Sequence, residues 1–210
     1  MVSALRPGYK EKYTYGIIGE CLSHVGGTFV RVGQHSDGSC FYHSIASCVL
    51  PTEWDTSDLK KKMDVGHVFR RKMHSATTRH KWNSFWTSQQ IDPLPDYYKA
   101  KKAMSQVKTW ADIITISYTA AYMGLNILFV DDNNGQQLYC GVTNPGKDNE
   151  NPTVLVLWVG GTHFEAIWWK AEGDSTYTRT FPKEHPVAKN ISREYANSCA
   201  GISLASRIPI

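Results

Sequence analysis

The stretch SDGSCFYHSIASCV, residues 36–49, places a polar turn directly before an apolar run. The apolar side chains recur at the spacing of one helix face: Phe41, Ile45, Cys48 and Val49. This spacing predicts a helix whose apolar stripe faces the core. Cys40 lies in the first turn at the margin of the stripe, where the helix dipole and free backbone N–H groups favour an anion. Cys48 lies within the stripe and is predicted to be a packing residue.

Cys40 is the candidate nucleophile. A thiol attacks well only as a thiolate, so a catalytic cysteine needs a site that stabilises negative charge, a nearby base and donors for an oxyanion. Gly38 permits a tight turn and close approach of a substrate, and the N–H groups of residues 38–40, which include that of Ser39, are predicted to line an oxyanion pocket. Asp37 is predicted to brace this loop by accepting hydrogen bonds from backbone N–H groups.

His163 is the candidate base among eight histidines. It begins the strand HFEAIWW, in which alternation places His163 and Glu165 on one face and Phe164 on the other. A carboxylate two residues away is within reach of one ring nitrogen and can orient the imidazole. On this alternation alone, the polar half of an edge strand is at least as good an interpretation. The combination of this histidine and its acid with an intracellular cysteine, Cys40, favours a cysteine hydrolase.

The other histidines are weaker candidates for the base. His43 is near Cys40 but is fixed to the surface of the same helix. The remaining six are predicted to be surface residues: His24, His35, His67, His74, His80 and His185. A zinc site is a weaker alternative, because His163 has no partner ligand nearby in the sequence. We therefore expect no metal and no organic cofactor.

Composition favours one domain. The chain has 210 residues, of which 41% are hydrophobic, enough for one full core and a short appendage. Its net charge of +4 is too small to predict nucleic-acid binding. Five cysteines without a Cys-x-x-Cys pair predict a reducing compartment, and the sequence shows no spanning segment or signal peptide, so we expect a cytoplasmic protein without membrane contact.

Helices precede hairpins along the chain, which predicts an α+β domain with a small central β-sheet flanked by helices. Residues 55–86 are predicted to form helices broken near Gly66, with basic residues such as Arg70 and Arg71 mostly on a solvated face. Thr109 is predicted to cap a helix with Trp110 in its buried stripe. Strands are predicted in the segments GGTFVRVGQ, LNILFVDD, QLYCGVT, TVLVLWV and HFEAIWW. Residues 171–210 lose apolar periodicity and are predicted to be a tail or a linker.

Three sequence blocks resemble the signature blocks of the ovarian tumour (OTU) cysteine proteases: residues 37–46, 109–111 and 162–166. The similarity is greatest to viral members, such as the OTU domain of nairovirus polymerase proteins, and covers about residues 30–169. It implies a papain-like OTU cysteine protease fold, with a catalytic domain over residues 1–170. It implies removal of ubiquitin from conjugated proteins and, as in many viral members, of the interferon-induced ubiquitin-like modifier, which would suppress innate immunity in the host cytoplasm.

The resemblance also implies roles for individual residues. Cys40 would be the nucleophile and His163 the general base, with Asp37, Gly38 and Ser39 in the oxyanion loop. Trp110, Phe41 and Phe164 would lie against the substrate. The family usually has Asp or Asn two residues after the histidine, where this chain has Glu165. Because Glu is one methylene longer, its contact with His163 needs a shifted rotamer or falls to another residue.

Three other functions stay open on the sequence. A catalytically silent OTU-like fold would only bind ubiquitin or another partner. A protease for a viral polyprotein would suit a chain whose last 40 residues act as a linker. Nucleic-acid binding through the basic segment between Lys60 and Lys81 ranks below both, because its charges alternate with apolar residues as in any amphipathic surface helix.

Overall fold

The computed structural model describes residues 3–131, 137–139 and 150–199. The helices in these ranges are α1 (Gly16–Val25), α2 (Cys40–Val49), α3 (Pro51–Asp55), α4 (Leu59–Ala76), α5 (Arg79–Ser88), α6 (Tyr97–Ser105), α7 (Ile113–Met123) and α8 (Pro186–Cys199). The strands are β1 (Lys10–Lys12), β2 (Thr28–Val32), β3 (Asn126–Asp131), β4 (Gln137–Tyr139), β5 (Thr153–Val159) and β6 (His163–Lys170). The predicted α+β class is confirmed.

The six strands form one sheet in the order β1-β2-β6-β5-β3-β4. Only the β3–β5 pair is parallel. Strands β5 and β6 form a hairpin in which Val159 pairs with His163. Gly160 and Gly161 have positive φ in its turn, a conformation that glycine adopts without strain. The hairpin therefore fixes His163 at the first position of a central strand.

Both faces of the sheet are covered by helices, and the alternation predicted for β6 is confirmed. Phe164, Ala166 and Trp168 belong to the hydrophobic core between the sheet and α2. Ile167 and Trp169 belong to the core on the other face, which contains buried side chains of α1 and α8. A separate aromatic cluster joins α5, α6 and α7 through Trp82, Trp86, Ala100, Met104 and Tyr118. The first of these cores positions α2, and thus Cys40, against β6.

The predicted break near Gly66 is wrong. Helix α4 runs without interruption through this residue, which is buried. A Cβ atom at Gly66 would lie 1.8 Å from Nδ1 of His43, so glycine is needed there for the close approach of α4 to α2. Gly66 is therefore explained by close packing of the two helices and does not mark a helix end.

The predicted start of α7 at Thr109 is also wrong. The helix begins at Ile113, and the side chain of Asp112 accepts the hydrogen bond from Thr115 N that caps it. Trp110 lies before the helix, outside any helix or strand, and is 47% exposed, so it is not part of a buried stripe.

The structure also revises the predicted domain boundary at residue 170. Phe181 exchanges two backbone hydrogen bonds of 2.8 Å with Thr153 of β5. Its side chain is fully buried beside those of Val187 and Ile191 from α8. Residues 171–191 are therefore part of the folded domain, because they cover one face of the sheet. Residues 200–210 of the predicted tail lie outside the described residues, as do residues 140–143 of the predicted strand QLYCGVT.

We predict that Phe181→Ala lowers the free energy of unfolding by about 3–5 kcal/mol, the usual cost of removing a buried phenylalanine side chain. Lys189→Ala, on the exposed part of α8, is the control and should change stability by less than about 0.5 kcal/mol. Urea unfolding followed by circular dichroism measures both. If the two variants were equally stable, residues 171–191 would not belong to the cooperative unit.

Candidate active site

Cys40 is the first residue of α2, as predicted. The loop before it, residues 33–39, connects β2 to the helix; because it leads into the candidate nucleophile, we call it the nucleophile loop. The side chain of Cys40 is 2% exposed and belongs to the core between α2 and the sheet. The thiol is therefore covered in this structure, and it lies deeper than a position at the margin of the stripe would suggest.

Burial raises the pKa of the Cys40 thiol to about 11. The nearby backbone N–H groups of Phe164 and Phe41 act in the opposite direction and lower the pKa, as N–H groups at a helix N-terminus do for a thiol. Burial is the larger effect, so the resting thiol is neutral. Because Phe164 follows His163 directly, this contact brings the candidate nucleophile and the candidate base into one site.

His163 is 5% exposed at the start of β6. Its Nδ1 lies 3.3 Å from the hydroxyl oxygen of Ser36, in the loop before Cys40. Burial, with a smaller effect of the neighbouring His43, lowers the pKa of His163 to about 4. The imidazole is therefore neutral near neutral pH and can accept a proton, as a general base must.

Glu165 does not orient His163 in this structure. The shortest contact between them, from Nε2 of His163 to Oε1 of Glu165, is 3.9 Å, beyond hydrogen-bond distance. The same Oε1 accepts a hydrogen bond of 2.6 Å from the backbone N–H of Leu5. Nη1 of Arg31 lies 3.6 Å from Oε2. The predicted orienting role is corrected, because the N-terminal segment and Arg31 hold this carboxylate.

Asp37 braces the nucleophile loop as predicted. Its Oδ1 accepts a hydrogen bond of 2.8 Å from the backbone N–H of Ser39. The imidazoles of His43 and His67 also bond to the carboxylate, with Nε2–oxygen distances of 3.1 Å and 2.7 Å. Although burial opposes it, these hydrogen bonds hold the pKa of Asp37 far below its usual value. His67 is thus a partner of Asp37 rather than the free surface residue predicted from the sequence.

Asp37, His43 and His67 are also the only group of three possible metal ligands among the residues that the structure describes. Their donor atoms lie within 4.8 Å of one another. Both imidazoles already bond to the carboxylate, so hydrogen bonding accounts for the cluster without an ion.

Gly38 is essential for the shape of the loop. Its φ is +84°, and a Cβ atom there would lie 2.5 Å from the carbonyl oxygen of Lys108. The loop before Cys40 and the segment before α7 therefore touch along their backbones. This contact brings the exposed Trp110, two residues after Lys108, to the side of the candidate site.

Phe41 and Phe164 are buried in the core between α2 and the sheet. Their rings lie 6.0 Å apart in edge-to-face contact within the core, and Phe164 also packs on Phe129 and Trp158. The structure corrects their predicted role to packing, except that the backbone N–H of Phe164 reaches Cys40.

Comparison with solved structures identifies the class of fold. A structure of an OTU domain in complex with ubiquitin matches with a TM-score of 0.51 and 14% identity, over 88% of this chain and 92% of that chain. The OTU domain of Hazara virus bound to ubiquitin matches with a TM-score of 0.45 and 17% identity, over 77% of this chain and 89% of that chain. The chain has the fold of an OTU domain, and the predicted resemblance is confirmed.

Comparison with curated sequences adds a viral relative. The RNA-directed RNA polymerase L of Crimean-Congo hemorrhagic fever virus is 27% identical over 159 residues, which are 74% of this chain. The match spans only 4% of the length of that polymerase. The predicted similarity to a nairovirus polymerase protein is therefore confirmed. No protein-family model matches the chain. None of the helices that the structure describes is both long and apolar enough to cross a membrane.

The site predicts a dependence of stability on pH. Because folding lowers the pKa of His163 from 6.5 to about 4, the unfolded chain binds more protons between these values, and stability falls as the pH decreases through this window. Between about pH 7 and about pH 5 the contribution of His163 should be about 2 kcal/mol.

Chemical unfolding of wild type and His163→Gln at several pH values checks this prediction. The free energy of unfolding should depend less steeply on pH in the variant than in wild type. Burial also lowers the pKa of His43, but this effect is common to both proteins. Parallel pH profiles would show that His163 titrates normally in the folded protein.

Proposed function

We propose that the chain is a cysteine isopeptidase that removes ubiquitin from conjugated proteins. One observation carries the proposal: in an OTU fold, the thiol at the start of α2 lies in the same core as Phe164, the residue that follows a buried histidine at the start of β6. Cys40 is the proposed nucleophile and His163 the proposed general base. The matching OTU domain was solved in complex with ubiquitin, which supports the choice of substrate.

The reaction begins from a neutral thiol and a neutral imidazole. His163 takes the proton from Cys40 as the sulfur attacks the carbonyl carbon of the C-terminal glycine of ubiquitin. The tetrahedral intermediate then breaks its bond to the lysine nitrogen, and His163 returns the proton to that leaving amine. Water, deprotonated by the same imidazole, hydrolyses the thioester and releases a carboxylate. No step needs a metal or an organic cofactor.

Two backbone N–H groups are proposed to stabilise the oxyanion. Ser39 N already donates to Asp37, so of the three predicted donors those of Gly38 and Cys40 remain. The N–H of Cys40 belongs to the first turn of α2, whose N–H groups have no partner within the helix. Donors fixed in this way need no reorganisation when negative charge develops, which is the source of their catalytic effect.

Finer aspects of the function belong to the same proposal. We infer that the interferon-induced ubiquitin-like modifier is a second substrate and that host conjugates in the cytoplasm are the targets, with Trp110 beside the entering tail. The exposure of Trp110 next to the nucleophile loop supports its part. Steady-state kinetics with both modifiers, each carrying the same leaving group, compare their kcat/KM values directly.

A second candidate is an OTU fold that binds ubiquitin without hydrolysis. It is favoured by the contacts of Glu165, which bonds to Leu5 instead of His163. A ubiquitin probe with a C-terminal electrophile separates the two functions. An isopeptidase and a binding module would both bind the probe, but only the catalytically competent thiol of an isopeptidase reacts with it.

We expect the probe to label wild-type protein, and to label His163→Ala more slowly by roughly 10²–10⁴-fold, the usual contribution of a general base. Cys40→Ala should not react, and Cys48→Ala, on the same helix but buried in the core, is the matched thiol control. Intact mass spectrometry measures the adduct. Absence of labelling in folded wild-type protein would exclude the isopeptidase and leave the binding function.

Glu165→Gln is predicted to lower turnover far less than His163→Ala. The variant keeps the size of the side chain and an oxygen that can accept from Leu5 N, and Glu165 makes no hydrogen bond to His163 that could be lost. Hydrolysis of a fluorogenic ubiquitin substrate measures kcat for both variants. Equal losses would mean that Glu165 acts on His163 during the reaction.

A further inference from the structure

Arg70 is a buried cation close to the candidate site. It lies on α4, its side chain is 1% exposed, and its guanidinium carbon is 4.8 Å from the centre of the Tyr42 ring. The basic residues of this segment were predicted to be mostly solvated, and the exposed Arg71 beside it fits that prediction. Arg70 is the exception, so its burial requires a reason.

The hydrogen bonds of Arg70 connect two loops. On one side, Nη1 donates to the carbonyl oxygen of Gly38 at 3.0 Å and to the hydroxyl of Ser39 at 2.7 Å. On the other side, the guanidinium donates to four carbonyl oxygens in the last turn of α6 and the segment before α7, those of Ala103, Met104, Val107 and Thr109. Because Nη1 has two hydrogens for the acceptors on Gly38, Ser39 and Val107, one of these hydrogens is shared between two acceptors. One side chain thus joins the nucleophile loop to the segment that carries Trp110.

The peptide group between Gly38 and Ser39 is held at both ends. Its carbonyl oxygen accepts from Arg70, and its N–H donates to Asp37. Because both ends are fixed, the plane of this peptide cannot rotate without breaking a hydrogen bond, which fixes the direction of the chain into Cys40. The hydroxyl of Ser39 adds a third connection, since it donates to the carbonyl of Val107 at 2.9 Å.

The charge of Arg70 has no carboxylate partner. Among the residues that the structure describes, the ion pairs do not include Arg70. Burying a cation in this way is costly, although the carbonyl dipoles offset part of the cost. Burial lowers the pKa of Arg70, whereas Tyr42, Asp37 and Cys40 act in the opposite direction. A buried positive charge at this place favours negative charge on the thiol and on an adjacent oxyanion.

We propose that Arg70 is a positioning residue of the isopeptidase site, which locks the Gly38–Ser39 peptide for catalysis and couples it to the segment that carries Trp110. This inference rests on the proposed function for its catalytic part. The structural part, the coupling of the two loops, stands on the hydrogen bonds alone.

The test compares Arg70→Lys with Arg71→Lys. Lysine keeps the charge at either position but cannot form the planar fork with several acceptors at once, so Arg70→Lys removes the connection between the loops. Arg71→Lys makes the same chemical change at the exposed neighbouring position of the same helix. Hydrogen exchange followed by mass spectrometry, on peptides that contain residues 36–42 and 103–110, reports the coupling directly and needs no substrate.

In Arg70→Lys we expect faster exchange in both segments, and a kcat for ubiquitin hydrolysis lowered by roughly tenfold or more with KM nearly unchanged, because a misplaced oxyanion loop affects the transition state rather than binding. Arg71→Lys should match wild type in all measurements. If Arg70→Lys unfolds, Ser39→Ala, which removes only the hydroxyl connection, takes its place and should show a smaller effect in the same two segments.

Unchanged exchange in either segment of a folded Arg70→Lys protein would overturn the coupling, and unchanged kcat would overturn the catalytic role. Wild-type protein without activity toward ubiquitin would refute the proposed function, and with it the catalytic role of Arg70. The exchange experiment would still decide whether Arg70 couples the loops, so the two failures are distinguishable.

Discussion

The burial of helix α2 is the constraint on which the site depends. Nine of its ten residues are buried, because α2 lies between the sheet on one side and α4 on another. Cys40 at its start is therefore surrounded by backbone N–H groups and core side chains instead of water. Burial raises the pKa of the thiol and the charge of Asp37 adds to this effect, whereas the nearby backbone N–H groups act against it. Burial is the larger effect, so the thiol of the proposed nucleophile is neutral in this structure.

Close packing of α4 on α2 brings the polar side chains of α4 to the candidate site. Gly66 lets His43 lie against the backbone of α4, and on the same helix His67 and Arg70 reach the nucleophile loop from two directions. His67 holds Asp37, and Arg70 holds the carbonyl of Gly38. The loop thus receives its shape from a neighbouring helix, in addition to the hydrogen bond that Asp37 accepts from Ser39.

Local sequence patterns predicted the elements that carry Cys40 and His163, but they misplaced the start of α7, missed α8 and did not predict the contacts between elements. The helix at Cys40, strand β6 and the bracing by Asp37 followed from periodicity and turn chemistry, which act over a few residues. The burial of Arg70, the bond from His67 to Asp37 and the packing of Phe181 depend on residues more than 25 positions apart in the sequence. Gly66 is an example: glycine occurs both at helix ends and where two helices pack closely, so the local sequence predicted a helix break where the structure has a helix contact.

The position of Glu165 shows how the fold modifies a family pattern. Strand alternation places its side chain on the face of His163, but Leu5 N and Arg31 lie nearer to its carboxylate than the imidazole does. In this structure the imidazole instead has Ser36 as its hydrogen-bonding neighbour, and Ser36 belongs to the loop of the nucleophile. The loop before Cys40 therefore also contacts His163, so a displacement of this loop would disturb the proposed nucleophile, oxyanion donors and base together.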